Sequence, residues 1–301
     1  MTLDEKILKA FPLVSYEENR AEEGHLRMIE ETENREIYAG VRYYKRRYCR
    51  GSGKDVWVYL ATIAPDAPAR IAVSAMPLRT VKMVKRQAAE FDGYVVFAMN
   101  AGFFRFFNDG DLTPYGIQVT HGVEMALPGK NEPEYSNNWV GLTKQGETVI
   151  GNADDYYNHW RGKLEYAVGG SLRLIRDGKI TLHRNNGLHP RTAIGIAADG
   201  TVILMCADGR TSASAGLSFG DMVELYTGLG YEITELLNLD GGGSTTVVLR
   251  EDDGTFGVKN IPGGPPLPID YKKYDLPYPV PCGETQARAV ADCVLIVATD
   301  R

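Results

Sequence analysis

Short apolar runs joined by glycine-containing turns are the feature that most constrains the fold of this chain. The runs TAIGIA and TVILMC flank Asp199-Gly200, and comparable runs flank Asp177-Gly178 and Gln145-Gly146. Glycine accepts the positive φ that tight hairpin turns require, and β-branched runs of this length favour strands. The pattern predicts a domain built largely of hairpins.

Two internal segments have helical periodicity. Apolar residues recur every three or four positions from Pro77 to Phe91, and Gly93 follows as a stop signal. Ser218 precedes a second segment of this kind as an N-cap residue. Many strands with few helices indicate an α+β fold, a strand-rich mixed-sheet domain with a few packed helices.

The chain divides at its acidic N-terminus. Residues 1–36 are rich in Glu, and we expect them to form one or two short helices outside the main fold. Residues 37–301 carry no convincing internal boundary, so they are predicted to form one domain. No GxGxxG motif follows a strand and opens a helix, which excludes a dinucleotide-binding fold.

Charge and hydropathy exclude two classes of partner. The 301 residues carry a net charge of −6, whereas nucleic-acid binding requires a basic face. No apolar run approaches the roughly 18 residues of a membrane helix. The N-terminus lacks the apolar core of a signal peptide, which leaves a cytoplasmic protein or a mature secreted form. We therefore expect no nucleic-acid partner and no membrane span.

Three segments place polar residues at the ends of predicted strands. Asn100 ends an apolar run, and its amide suits either a sugar or phosphate contact or the backbone of its own turn. Arg191 precedes a strand and suits either a phosphate or a surface ion pair. Asp208 and Arg210 follow a strand, where they serve either a binding site or a hairpin turn.

The segment NLDGGGSTT is the most informative. Three consecutive glycines exceed what a hairpin turn requires, and they allow the backbone to approach a ligand closely. Successive free N–H groups there bind anions. The segment supplies the candidate residues Asp240, Gly241, Gly242, Gly243, Ser244 and Thr245.

Five segments and one arginine, taken in order, resemble those of phosphodiester glycosidase domains. They are MNAGFF, GIQVTHG, HPRTAIG, ADGR, LNLDGGGSTT and an arginine before the last apolar strand. The resemblance covers roughly residues 95–298. The closing arginine is Arg288, preceded by Ala287 where the family often has Glu. The loop between Asn108 and Thr113 and the stretch NADDYYNHWRGK have no counterpart among these motifs.

The resemblance implies hydrolysis of a sugar-1-phosphodiester at the anomeric carbon, giving free sugar and a phosphomonoester. One carboxylate would act as nucleophile or activate water, with Asp240 the first choice and Asp208 the second. Arg191, Arg210 and Arg288 would bind or orient the phosphate. Asn100 and the glycine segment would hold the substrate, a small molecule or glycan carrying the diester.

Two other functions stay open. A phosphodiesterase that cuts the P–O bond usually needs clustered metal ligands, and none of the five histidines forms an HxH or HxxxH pair. A non-catalytic glycan-binding module could share the fold. We expect no cofactor and no catalytic metal. Asp and backbone carbonyls near the glycine segment are, however, ligands that a structural Ca²⁺ accepts.

Overall fold

The computed structural model describes residues 25–51, 53–76, 81–106, 112–129, 137–181, 187–263 and 287–301. The first half of the chain forms strands β1 (Leu26–Tyr38), β2 (Val41–Arg50), β3 (Asp55–Ile63), β4 (Ala69–Ala75), β5 (Lys82–Met83), β6 (Tyr94–Asn100), β7 (Phe104–Phe106), β8 (Leu112–Pro114), β9 (Gln118–Thr120) and β10 (Val123–Ala126). The second half forms β11 (Asn138–Thr143), β12 (Thr148–Asn152), β13 (Leu164–Gly170), β14 (Arg173–Arg176), β15 (Lys179–Ile180), β16 (Arg191–Ala197), β17 (Val202–Ala207), β18 (Ile233–Asn238), β19 (Val247–Arg250), β20 (Phe256–Val258), β21 (Ala289–Val290) and β22 (Asp292–Ala298).

The described helices are few and short. They are α1 (Val84–Glu90), α2 (Ala153–Asp155), which continues as a π-helical turn over Tyr156–Trp160, and α3 (Phe219–Thr227). Ser218 caps α3, and its hydroxyl accepts a hydrogen bond from the Asp221 N–H at 3.0 Å, as the sequence predicts. No helix in the described ranges is both long and apolar enough to cross a membrane.

The strands form three main sheets. The largest has the order β1-β2-β3-β17-β16-β18-β14-β15, and the two five-stranded sheets have the orders β10-β9-β13-β11-β12 and β20-β19-β6-β22-β4. Many neighbours are the predicted hairpins, including β11–β12 and β16–β17. The strand-rich α+β prediction is confirmed.

Apolar side chains fill the space on both faces of the largest sheet. On one face, residues such as Tyr59 and Leu204 pack with the sheet that contains β6 and β22. On the other face, α3 contributes Met222 and Tyr226 to a second cluster. Strand β17 is buried along its whole length because both of its faces are covered, which explains its uninterrupted apolar sequence.

Two predictions about helices need correction. The helical prediction for residues 1–36 is wrong where the structure describes them, because β1 pairs with β2 at the edge of the largest sheet. Residues 1–24 lie outside the described residues, and the division at residue 36 stays a prediction. The helix predicted from Pro77 begins only at Val84, since Lys82 and Met83 pair with β21.

Candidate active site

The ends of five strands meet at one edge of the molecule. In the largest sheet, β17 ends at Ala207, β16 begins at Arg191 and β18 ends at Asn238, and their antiparallel order brings these ends together. The neighbouring sheet adds the end of β6 at Asn100 and the start of β22 at Asp292, which are next to each other in register. Residues distant in sequence therefore converge beside the segment that follows β18.

That segment, Asp240–Thr245, is called the glycine loop below. Its centre is a 3-10 turn over Gly242–Ser244, and Gly242 has a φ of +61°. A Cβ on Gly241 would lie 2.5 Å from the carbonyl oxygen of Pro190, and one on Gly243 would lie 2.3 Å from Nη2 of Arg288. The glycines are thus required by close contacts within the protein itself.

Asn100 anchors the glycine loop from below. It is fully buried, and its Nδ2 donates to the carbonyl oxygen of Asp240 at 2.5 Å. Its Oδ1 accepts from the Thr192 hydroxyl and from the Thr246 N–H, each at 3.0 Å. This amide links β6, β16 and the residue after the loop, so it fixes the backbone of Asp240.

Asp208 is also buried, and several protein donors surround its carboxylate. Tyr59 donates its hydroxyl to Oδ2 at 2.9 Å, and Asn260 donates Nδ2 to Oδ1 at 2.9 Å. The Ile261 N–H lies 3.2 and 3.1 Å from the two oxygens. Burial raises the pKa of Asp208 although these donors oppose the shift. Asn260 also donates to the carbonyl of Thr245 at 3.0 Å, which connects Asp208 to the glycine loop.

Asp240, in contrast, is partly exposed at the mouth of the loop. Its backbone N–H donates to the carbonyl of Ala101 at 2.8 Å. Burial of the carboxyl raises its pKa to about 7, while hydrogen bonding to Ser244 and the positive charge of Arg288 partly offset that increase. A carboxyl with this pKa changes its protonation state near neutral pH, which suits acid–base chemistry.

The three predicted arginines occupy different depths. Arg191 is buried, with its guanidinium 4.2 Å from the ring centroid of Phe219 and its Nε donating to the carbonyl of Leu217 at 3.0 Å. Burial lowers the pKa of Arg191 to about 10, and the charge of Arg210 adds to this effect. Arg210 is exposed, 3.1 Å from Nδ1 of His189, while Arg288 is partly exposed beside Gly243.

The predicted residues therefore gather at one edge but form two layers. The outer layer has Asp240, Gly241, Gly242, Arg210 and Arg288 at least partly exposed. The inner layer is buried and supports the outer one; it contains Asn100, Arg191, Asp208, Gly243, Ser244 and Thr245.

Comparison with known families tests the resemblance directly. The family model for phosphodiester glycosidases matches residues 93–297. The chain belongs to the phosphodiester glycosidase family. Every residue of the two layers lies inside the matched range, whereas β1–β4 lie outside it.

Curated relatives agree with this membership, and solved structures share the fold. Human N-acetylglucosamine-1-phosphodiester α-N-acetylglucosaminidase is 28% identical over an alignment of 172 residues that covers 51% of this chain and 32% of that protein. The match thus spans about a third of the human relative. The catalytic domain of the zebrafish enzyme of that name, auto-inhibited by its pro-peptide, has a TM-score of 0.60 at 18% identity, covering 91% of this chain and 87% of that one. A putative exported protein from Burkholderia pseudomallei has a TM-score of 0.59 at 12% identity, covering 91% of this chain and 97% of its own.

Sequence reasoning missed one carboxylate at this candidate site. Asp292 is the first residue of β22, is 1% exposed, and raises the pKa of Asp240 through its negative charge. Its sequence signal is an acidic residue inside the apolar run ARAVADCVLIVA. Acidic residues are rarely buried without a specific reason.

No group of three or more His, Cys, Asp and Glu residues within the described ranges is arranged to hold a metal ion. A structural Ca²⁺ stays a prediction that a binding measurement must decide.

Proposed function

We propose that this chain hydrolyses the anomeric C–O bond of a sugar-1-phosphodiester and releases free sugar and a phosphomonoester. One observation carries the proposal. The Asp240 carboxyl, with a pKa near 7, is partly exposed on a glycine loop, and the guanidinium groups of Arg210 and Arg288 lie beside Gly242 and Gly243 of that loop.

The arginines match the charge that develops in this reaction. When the anomeric C–O bond breaks, the phosphate leaves with the bridging oxygen and gains negative charge. A phosphomonoester has a second pKa of roughly 6, so it leaves without a strong general acid. Arg210 and Arg288 would stabilise that charge, and buried Arg191 would add to the positive potential from behind.

Asp240 supplies the carboxylate that the reaction requires in addition to the arginines. In its ionised form, it either attacks the anomeric carbon or takes a proton from the water that does so. A carboxylate titrating near 7 is a stronger base than an ordinary aspartate, yet a large fraction stays ionised at neutral pH. We assign Asp208 a positioning role in place of the catalytic one, because its oxygens accept hydrogen bonds from Tyr59, Asn260 and Ile261.

The bond that breaks is tested by hydrolysis in ¹⁸O-labelled water. The anomeric hydroxyl of a free sugar exchanges with water, so the phosphomonoester is the informative product. Mass spectrometry should find it unlabelled, because water attacks carbon. One ¹⁸O atom per phosphomonoester would refute the proposal and favour a phosphodiesterase that attacks phosphorus.

The substrate is tested with a panel of sugar-1-phosphodiesters that vary in sugar and in phosphate substituent. Asp240→Asn serves as the inactive reference, and each reaction is repeated with EDTA. Binding of these compounds without turnover by the wild-type protein would favour a glycan-binding module. Loss of turnover with EDTA, regained on adding a divalent cation, would favour a metal-dependent enzyme.

A further inference from the structure

A second carboxyl group, that of Asp292, is hydrogen-bonded to the turn that also binds the backbone of Asp240. Oδ1 of Asp292 accepts from the Gly102 N–H at 2.6 Å, and Oδ2 accepts from Nε2 of Gln118 at 2.6 Å. These donors come from the turn after β6 and from β9, in two different sheets. The Asp292 side chain thus joins both five-stranded sheets at the site.

The two aspartates are held by consecutive residues of the same turn. The N–H of Asp240 donates to the carbonyl of Ala101 at 2.8 Å, and the next residue, Gly102, donates to Asp292. A Cβ on Gly102 would lie 3.0 and 3.1 Å from the two carboxylate oxygens of Asp292. A displacement of Asp292 would therefore move the turn that positions Asp240.

The charges around the pair act in opposite directions. Arg288 lowers the pKa of Asp240 and Asp292 raises it. Burial raises the pKa of Asp292 to about 6, partly opposed by hydrogen bonding to Gln118 and Gly102. Its neighbour Cys293 has a thiol pKa raised well above the usual value by burial, so that group stays neutral. With a pKa of about 6, Asp292 is mostly ionised at neutral pH, and its negative charge acts on Asp240.

We propose that Asp292 is a positioning residue for Asp240: its carboxylate fixes the turn that binds the Asp240 backbone, and it places a second negative charge beside that turn. The inference rests on the proposed catalytic role of Asp240. It predicts that the two carboxyls titrate as a coupled pair.

Asp292→Asn tests the charge while keeping the shape. The asparagine amide retains an oxygen for the Gly102 N–H and points its NH₂ group toward Gln118. Oε1 of Gln118 is buried and has no hydrogen-bond partner among the described residues, so rotation of that amide provides an acceptor. We therefore expect this variant to fold. Asp252→Asn is the matched control, the same change on an exposed turn.

The readout is a carbon-13 NMR titration of protein labelled at aspartate carboxyls, with the Asp240 signal assigned from Asp240→Asn. In Asp292→Asn, the titration midpoint of Asp240 should fall by about 0.5 to 1 unit, and in Asp252→Asn it should not move. The acidic limb of the kcat/KM profile should shift to lower pH by the same amount.

An unchanged Asp240 midpoint in folded Asp292→Asn would overturn the inference. If that variant fails to fold, Gln118→Leu replaces it, because losing one donor should raise the Asp292 midpoint and lower that of Asp240. The NMR readout does not depend on turnover. Full activity in Asp240→Asn would thus refute the proposed catalytic role of Asp240, while the titration decides the coupling separately.

Discussion

Replacing Gly243 by alanine should separate the chemistry of the site from its stability. The new Cβ would lie 2.3 Å from Nη2 and 2.7 Å from Cζ of Arg288, whereas ordinary contacts lie at 3.4–4 Å. The guanidinium must therefore move by about 1 Å. A flexible side chain yields at little cost in stability, and Gly243 has no positive φ that alanine would strain.

A displacement of this size has a large effect on catalysis if Arg288 stabilises the departing phosphate. A misplacement of about 1 Å costs up to roughly 100-fold in rate. We therefore expect Gly243→Ala to lower kcat/KM on a sugar-1-phosphodiester by about 10- to 100-fold, with Tm within a few degrees of wild type. Gly241→Ala is the comparison, because its Cβ would lie 2.5 Å from the rigid carbonyl of Pro190 and should lower Tm.

Steady-state kinetics and thermal melts of four proteins test the reasoning: wild type, Gly243→Ala, Arg288→Ala and the double variant. If the alanine acts by moving Arg288, the double variant should be no slower than Arg288→Ala alone. Fully additive losses would show that Gly243 affects the site by another route. Normal turnover in Gly243→Ala would remove Arg288 from the mechanism.

Three further predictions concern the carboxylates. Asp240→Asn should lower kcat by at least roughly 100-fold with the fold intact by circular dichroism, and a near-normal rate would move the base elsewhere. The folded-state pKa of Asp240 is raised from 3.8 to about 7, so the stability it contributes is complete below pH 3.8 and is lost as pH rises to about 7. The Tm of Asp240→Asn minus that of wild type should therefore increase from pH 4 to pH 8, and a difference that shrinks would contradict the assigned direction. Asp208→Asn should place an NH₂ group against Asn260 or Tyr59 and cost about 1–3 kcal/mol in the free energy of unfolding. It should lower kcat per folded molecule less than Asp240→Asn does, which urea melts combined with active-site titration would test. Equal losses of kcat in the two variants would restore Asp208 as a catalytic candidate.

The misread N-terminal strand shows where sequence patterns stop being informative. Strand β1 is exposed along most of its length and has no apolar alternation, so its Glu-rich sequence resembles a solvated helix. Pairing with β2 places basic residues opposite these acids, for example Arg46 Nε 2.6 Å from Glu31. Cross-strand pairs of this kind stabilise a strand, but they depend on a partner that local sequence does not reveal.

Local physical chemistry determined most of the secondary structure from sequence alone. Hairpins such as β16–β17 follow from apolar runs and an intervening Asp-Gly turn, and α3 follows from the Ser218 cap and its apolar face. The glycine loop was recognisable because three adjacent glycines are costly unless something approaches the backbone closely. Signals of this kind lie within a few residues of each other, so no tertiary information is needed to interpret them.

The roles of the individual polar residues were decided by tertiary structure. Asp208 and Asp240 each follow a buried strand, but Tyr59 and Asn260 reach the first, whereas the second stays partly exposed. Asp292 joins the site through Gln118, which is 174 residues away in sequence. Burial and hydrogen-bond partners set the pKa of a carboxyl, and both arise only when distant strands come together.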